Sequence, residues 1–212
     1  MIKINKRPLP EGVVIKKEND YRSGIVFRML TEDCHGKCYI CENLVGTDPT
    51  VDHIVSKSSS PELSLCWSNL LLACGHCNRG TKLNKYDGII NPTKVNPEEF
   101  IELSLDLDDE LREIVVVHKV AGNTDVDITV NLLTTVYNGT ERDMRQYASL
   151  QLRNKVSREL LHFRQDIENY KSNLNEVHKT AIKNRLADNS IFAAFKRGML
   201  RHDPELHNQL TG

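Results

Sequence analysis

The chain has 212 residues, with 28 Lys and Arg against 29 Asp and Glu and a formal net charge of -1. That length suits one domain with a full apolar core, or a small functional module with a helical companion. The near-neutral charge excludes a globally basic nucleic-acid binder, so any such partner must be recognised locally.

Charge is unevenly spread along the chain. Residues 1–96 carry 13 basic against 10 acidic side chains, residues 97–140 carry 2 against 10, and residues 141–212 carry 13 against 9. The acidic run from Glu98 to Glu113 reads as a solvated face or as a contact for a basic partner surface. No apolar stretch reaches the roughly 18 residues of a membrane span, and the start MIKINKRPLPEG has two prolines in place of a basic-then-apolar leader. The expectation is a soluble, cytoplasmic protein with no membrane partner.

In chain order, the opening dozen residues read as an extended arm carrying Lys3, Lys6 and Arg7. Between Tyr21 and Thr31, the positions Ile25, Val26, Met29 and Leu30 recur at helical spacing. Residues 49–56 and 68–73 are short β-branched or apolar runs that predict two strands joined by the loop KSSSPELSLCW. A short helix is expected from near His76. LREIVVVHKV predicts a strand, whereas ITVNLLTTVY suits a strand or a helix equally. From Glu141 to Lys171 there is no Pro or Gly, and Met144, Tyr147, Leu150, Leu152, Val156, Leu160, Leu161, Phe163, Ile167 and Tyr170 predict a long amphipathic helix. Two shorter helices are expected over 174–187 and 190–200.

Four of the six cysteines form two C-x-x-C pairs, Cys38 with Cys41 and Cys74 with Cys77, separated by 32 residues. Each pair presents two thiolates from one tight turn, and two such turns complete a tetrahedral zinc site with no open position, so this Zn2+ is structural. Gly36 and Gly75 give the turns room. Cys34 and Cys66 lack such a partner and read as free thiols; His35 and His76 are the lesser alternatives for a zinc ligand. The gap between the pairs exceeds the 15–20 or so residues of a simple ribbon, so folded structure must lie inside it.

Inside it stand Val51-Asp52-His53-Ile54-Val55 and Trp67-Ser68-Asn69-Leu70, and the second knuckle continues as Cys77-Asn78-Arg79-Gly80-Thr81-Lys82. His53 precedes Asn69 by 16 residues and Asn69 precedes Asn78 by 9. Each residue alone would be unremarkable, since lone Asp-His pairs and asparagines usually shape turns. In this order, bracketed by the knuckles, they resemble the HNH endonuclease family in its H-N-N variant. The resemblance implies an α+β chain with a small ββα-metal core and a four-cysteine structural zinc, embedded in mainly helical sequence. It divides the chain into an arm and helix (1–33), a zinc-bracketed nuclease core (34–96) and an acidic and helical region for partner docking (97–212).

The resemblance further implies that His53 is the general base and that Asn69 keeps it oriented. Asp52 and Asn78 would be protein ligands of a catalytic ion, and hard oxygen donors favour Mg2+ or Mn2+. Arg79 and Lys82 are phosphate contacts on this reading, or else ordinary surface cations. The serine-rich loop after Val55 departs from the turn residue usual in the family, so the substrate-facing loop is the chain's own. The basic, proline-containing start, early helix, nuclease core and helical end together resemble the PtuB-type HNH proteins of Septu and retron anti-phage systems. That implies a nucleic-acid substrate, an ABC/SMC-like ATPase partner of the PtuA type, and a retron reverse transcriptase with its small DNA as a further partner. The competing readings are a non-catalytic zinc-knuckle module that binds nucleic acid or protein, and a nuclease with no ATPase partner.

Overall fold

The computed structural model describes residues 1–211. Two short helices, α1 (Glu18–Arg22) and α2 (Gly24–Asp33), lead into the first cysteine knuckle. Strands β1 (Pro49–His53) and β2 (Leu70–Cys74) pair antiparallel, with Asp52 opposite Leu71 and His53 opposite Leu70. A π-helical segment, His76–Lys82, follows β2 directly. Leu70, Leu71, Leu72 and Ala73 are wholly buried, because α2 and the His76–Lys82 helix both pack on β2. A strand covered this way needs an unbroken apolar run rather than alternation.

Beyond the core, β3 (Ile101–Leu107) and β4 (Glu113–Lys119) form a second antiparallel pair. The segment that periodicity left open is helical: α3 spans Thr124–Asn138. Its start is fixed by the Asn123 side chain, which accepts from Val126 N. Its inner face buries Val126, Thr129, Leu132, Leu133, Val136 and Tyr137 at three-to-four spacing. The long helix is α4 (Asp143–Ser172), followed by α5 (Glu176–Leu186), α6 (Ala193–Arg201) and α7 (Pro204–Thr211). α3 packs on β4 and α6 on β3. A Cβ at Gly198 would meet the Leu103 carbonyl oxygen at 3.1 Å, so glycine there permits the close approach of α6.

The apolar face of α4 is narrower than its sequence suggests. Leu152, Val156, Leu160, Phe163, Ile167 and Tyr170 are buried, whereas Met144, Tyr147, Leu150 and Leu161 are exposed. Strand β3 and helix α7 were not expected, although IELSLDL alternates apolar and polar residues as a half-buried strand does. The N-terminal arm docks on the molecule: Ile2 and Ile4 are buried, Ile4 N donates to Pro92 O, and the Lys6 ammonium reaches the carbonyls of Trp67 and Leu70. One apolar cluster joins the arm, the knuckles, the β1–β2 pair and α3, α4 and α6.

The acidic run is partly spent within the chain. Glu98 pairs with Arg197 and Arg201, and Glu102 with Arg201 and His202, all from α6 or the residue after it. Asp108 and Glu110 pair with Arg112. Among the described residues no helix is long and apolar enough to cross a membrane.

Candidate functional site

The four cysteines of the two knuckles converge. The Sγ atoms of Cys38, Cys41, Cys74 and Cys77 all lie within 4.8 Å of one another, with Cys41 and Cys74 3.9 Å apart. Zn–S bonds of about 2.3 Å in a tetrahedron put sulfurs about 3.8 Å apart, a spacing close to that of this cluster. None of the six cysteines is in a disulfide. Burial, then the neighbouring thiols, push the Cys77 thiol well up, and a bound cation is what lets such a set ionise together.

The knuckle glycines differ in their reason for being there. Gly36 has φ +67°, a left-handed backbone. Gly75 has an ordinary helical backbone, and a Cβ there would meet the tips of the exposed Asp48–Arg79 pair, which would have to shift. Cys34 lies outside the cluster, with burial pushing its thiol up to about 12. Cys66 lies outside it too, in contact with Glu62 O. His76 bonds Val136 O rather than joining the thiols. The Tyr137 hydroxyl donates to Cys41 O at 2.9 Å, tying α3 to the first knuckle.

Strand alternation puts Thr50 and Asp52 on one face of β1 and Val51 and His53 on the other. His53 is buried under Tyr21, whose ring meets it edge-on at 5.6 Å. Its Nε2 lies 2.9 Å from Ser64 O, and with Nε2–H donating there, Nδ1 keeps its lone pair. Burial lowers the His53 pKa, so the ring is neutral at pH 7.

Asn69 sits just before β2, in the 3-10 turn Trp67–Asn69, and not in the strand itself. Its amide is fully used on the loop after β1. Oδ1 accepts from Val55 N at 2.8 Å, while Nδ2 donates to Val55 O at 2.9 Å and Leu63 O at 3.2 Å. The loop that supplies the Ser64 carbonyl to His53 is therefore clamped at Val55 and Leu63. The serines add a second clamp: Asp87 accepts from Ser56 N and from the hydroxyls of Ser56 and Ser59.

On the other face, Asn78 Nδ2 donates to Thr50 Oγ1 at 3.1 Å and Val51 O at 3.3 Å, which turns its Oδ1 away from the strand. Asp52 shares that face, but its carboxylate is deeply buried. Oδ2 accepts from the Tyr39 hydroxyl at 2.6 Å and lies 3.3 Å from Lys82 Nζ. Burial raises the Asp52 pKa, opposed by the Lys82 charge and the Tyr39 bond. A carboxylate and an amide oxygen are donors of the kind a hard divalent cation takes, although the Asp52 carboxylate is already held by Tyr39 and Lys82.

Lys82 is not a surface cation. It is wholly buried, and its ammonium also donates to His53 O at 2.6 Å. Arg79 is exposed, pairs with Asp48 at 2.5 Å, and lines a groove with Asn78, Thr50, Val51, Phe27 and Arg22. Sequence reasoning missed Tyr39 and Tyr21. Tyr39 lies inside the first C-x-x-C, and nothing in the sequence marks Tyr21 as a neighbour of His53.

Residues 32–82, the stretch that holds the cysteine cluster and both strands, match the model of the HNH endonuclease family. A curated relative, the Septu protein PtuB of Bacillus thuringiensis, is 35% identical over 79 residues. That alignment covers 35% of this chain and 31% of the relative, so it spans about a third of that protein's length. No solved structure matches the chain. Over residues 32–82 the chain is thus similar to HNH endonucleases, and over 79 residues to PtuB.

Proposed function

We propose that the chain is a metal-dependent endonuclease that hydrolyses phosphodiester bonds in nucleic acid, as the toxic effector of an anti-phage system. The observation that carries this reading is the setting of His53 in the HNH-matched segment: a neutral ring with Nε2 held on Ser64 O, on the face of β1 opposite Asp52. On this reading Nδ1 of His53 takes the proton of the attacking water. Asn69 is a positioning residue that acts through the loop it clamps. Asp52 and Asn78 would hold Mg2+ or Mn2+, which supplies charge neutralisation at the phosphoryl group.

Arg79, exposed beside Asn78, is the phosphate contact. Lys82, being buried, instead positions the Asp52 carboxylate. The four thiols hold zinc as a structural ion. The similarity to PtuB supports a PtuA-type ATPase as partner.

The test is to incubate the purified protein with Mg2+ or Mn2+ and duplex DNA, single-stranded DNA or total RNA, alone and with a co-expressed ATPase. Cleavage by wild type and not by His53→Ala is expected. Equal cleavage by the two proteins would overturn the assignment of His53, and a lack of cleavage under every condition would favour a binding module.

A further inference from the structure

The groove beside Asn78 does not end at Arg79. Arg79 also lines a second groove, between the His76–Lys82 helix and the start of α4, whose wall includes Lys85, Arg142 and Met144. We propose that the backbone of a polynucleotide runs through both grooves, held on one side of Asn78 by Arg22 and on the other by Lys85 and Arg142. This inference rests on the nuclease reading and extends it to how the substrate is held.

Three observations carry it. The first is continuity, since the shared Arg79 adjoins Asn78 in sequence and joins the two grooves into one path past Asn78. The second is charge that finds no answer within the chain. Arg22, Arg79 and Arg145 are balanced by Glu18, Asp48 and Glu141. Lys85 and Arg142 are exposed, and among the described residues their side chains have no ion pair or hydrogen bond. The acid of the second groove, Glu141, is the one already held by Arg145.

The third observation is the apolar surface between the cations. Phe27 is half-buried in the first groove, and Leu83 and Met144 are exposed in the second. A path that alternates cations with apolar and aromatic side chains suits phosphates and base or sugar faces in turn. A basic protein partner would be repelled by it. Arg22, Lys85 and Arg142 all lie outside the 32–82 stretch that defines the HNH domain, so this track belongs to the chain's own additions.

The test measures binding of short fluorescein-labelled single strands and duplexes to the full His53→Ala chain, without added magnesium or manganese, across a salt series. Replacing Lys85 and Arg142 together by Gln should weaken binding on the order of tenfold at low salt, and flatten the salt dependence by about 1.4–1.8 for two lost phosphate contacts. Replacing Lys179 and Lys183 of α5, outside both grooves, should leave both quantities unchanged. Unchanged binding by the Lys85/Arg142 variant, or equal weakening by the α5 variant, would overturn the track while leaving the nuclease reading intact. If the parent binds no nucleic acid and wild type cleaves none, the nuclease reading falls and the track falls with it. Matching thermal unfolding of the variants verifies that folding is not what changed.

Discussion

Lys82 and Asp52 face each other inside the molecule, ammonium 3.3 Å from carboxylate, with neither side chain more than 5% exposed. The contact joins the end of the helix that carries Asn78 to the C-terminal half of β1. A buried charge whose partner is removed is destabilising, because the remaining ion has neither water nor a counter-charge. Lys82→Met should therefore cost about 3–5 kcal/mol by urea denaturation, and adding Asp52→Asn should recover part of that loss. Additive effects of the two substitutions would show that the pair is not coupled.

Asn69 is expected to act at a distance. Asn69→Ala removes three hydrogen bonds to the loop between β1 and β2 and should cost about 1–3 kcal/mol. It should also lower kcat far more than it raises KM, because substrate contacts are untouched and only the His53 ring loses its fixed carbonyl. A change confined to KM would place Asn69 at the substrate instead.

Metal analysis of protein purified without chelator should find one zinc per chain. Cys77→Ser should lose that zinc and fold poorly, since structural zinc binding and folding are one equilibrium. Asp52→Asn and Asn78→Ala should keep the zinc but lose magnesium-dependent cleavage. Zinc loss in the Asn78 variant would mean that the two metal functions are not separable.

Lys6 gives a pH signature. Its ammonium, buried against the Trp67 and Leu70 carbonyls, is pushed down to about 8, chiefly by burial. The unfolded chain then binds more protons than the folded one between about pH 8 and the ordinary lysine value near 10.4. The charged form burdens the folded state below about pH 8, and stability gained from relieving it should rise across that window. The difference in unfolding free energy between wild type and Lys6→Met should therefore move in favour of wild type from pH 8 to pH 10. A flat difference would mean that Lys6 is not desolvated in solution.

The parts of this site that could be read from the sequence are those whose chemistry demands a residue type at a spacing. Thiols at C-x-x-C, an Asp-His pair and two ordered asparagines do not arise easily for other reasons, and the β1–β2 pair and the following helix were legible around them. What stayed hidden depends on which side chains the tertiary fold buries. Lys82 looks like any helix-end cation until the fold closes over it, and Tyr39 looks like filler between two cysteines until it meets Asp52. The same holds for α4, where Met144 and Tyr147 keep the periodicity of a core face without being covered. ITVNLLTTVY became a helix because Asn123 caps it and β4 receives its apolar side, neither of which periodicity reports.

The His76–Lys82 segment holds one thiol of the cysteine cluster, the Asn78 amide, the Arg79 guanidinium and the Lys82 ammonium within seven residues of π-helical backbone. Its wider winding sets the angular phase at which each of those groups emerges. Deleting one residue there, even Gly80, would rewind the segment and turn Lys82 away from Asp52 while Cys77 stayed in the cysteine cluster. Substitutions in this stretch can be judged one side chain at a time, but its length cannot change by a single residue without re-aiming everything after the thiol.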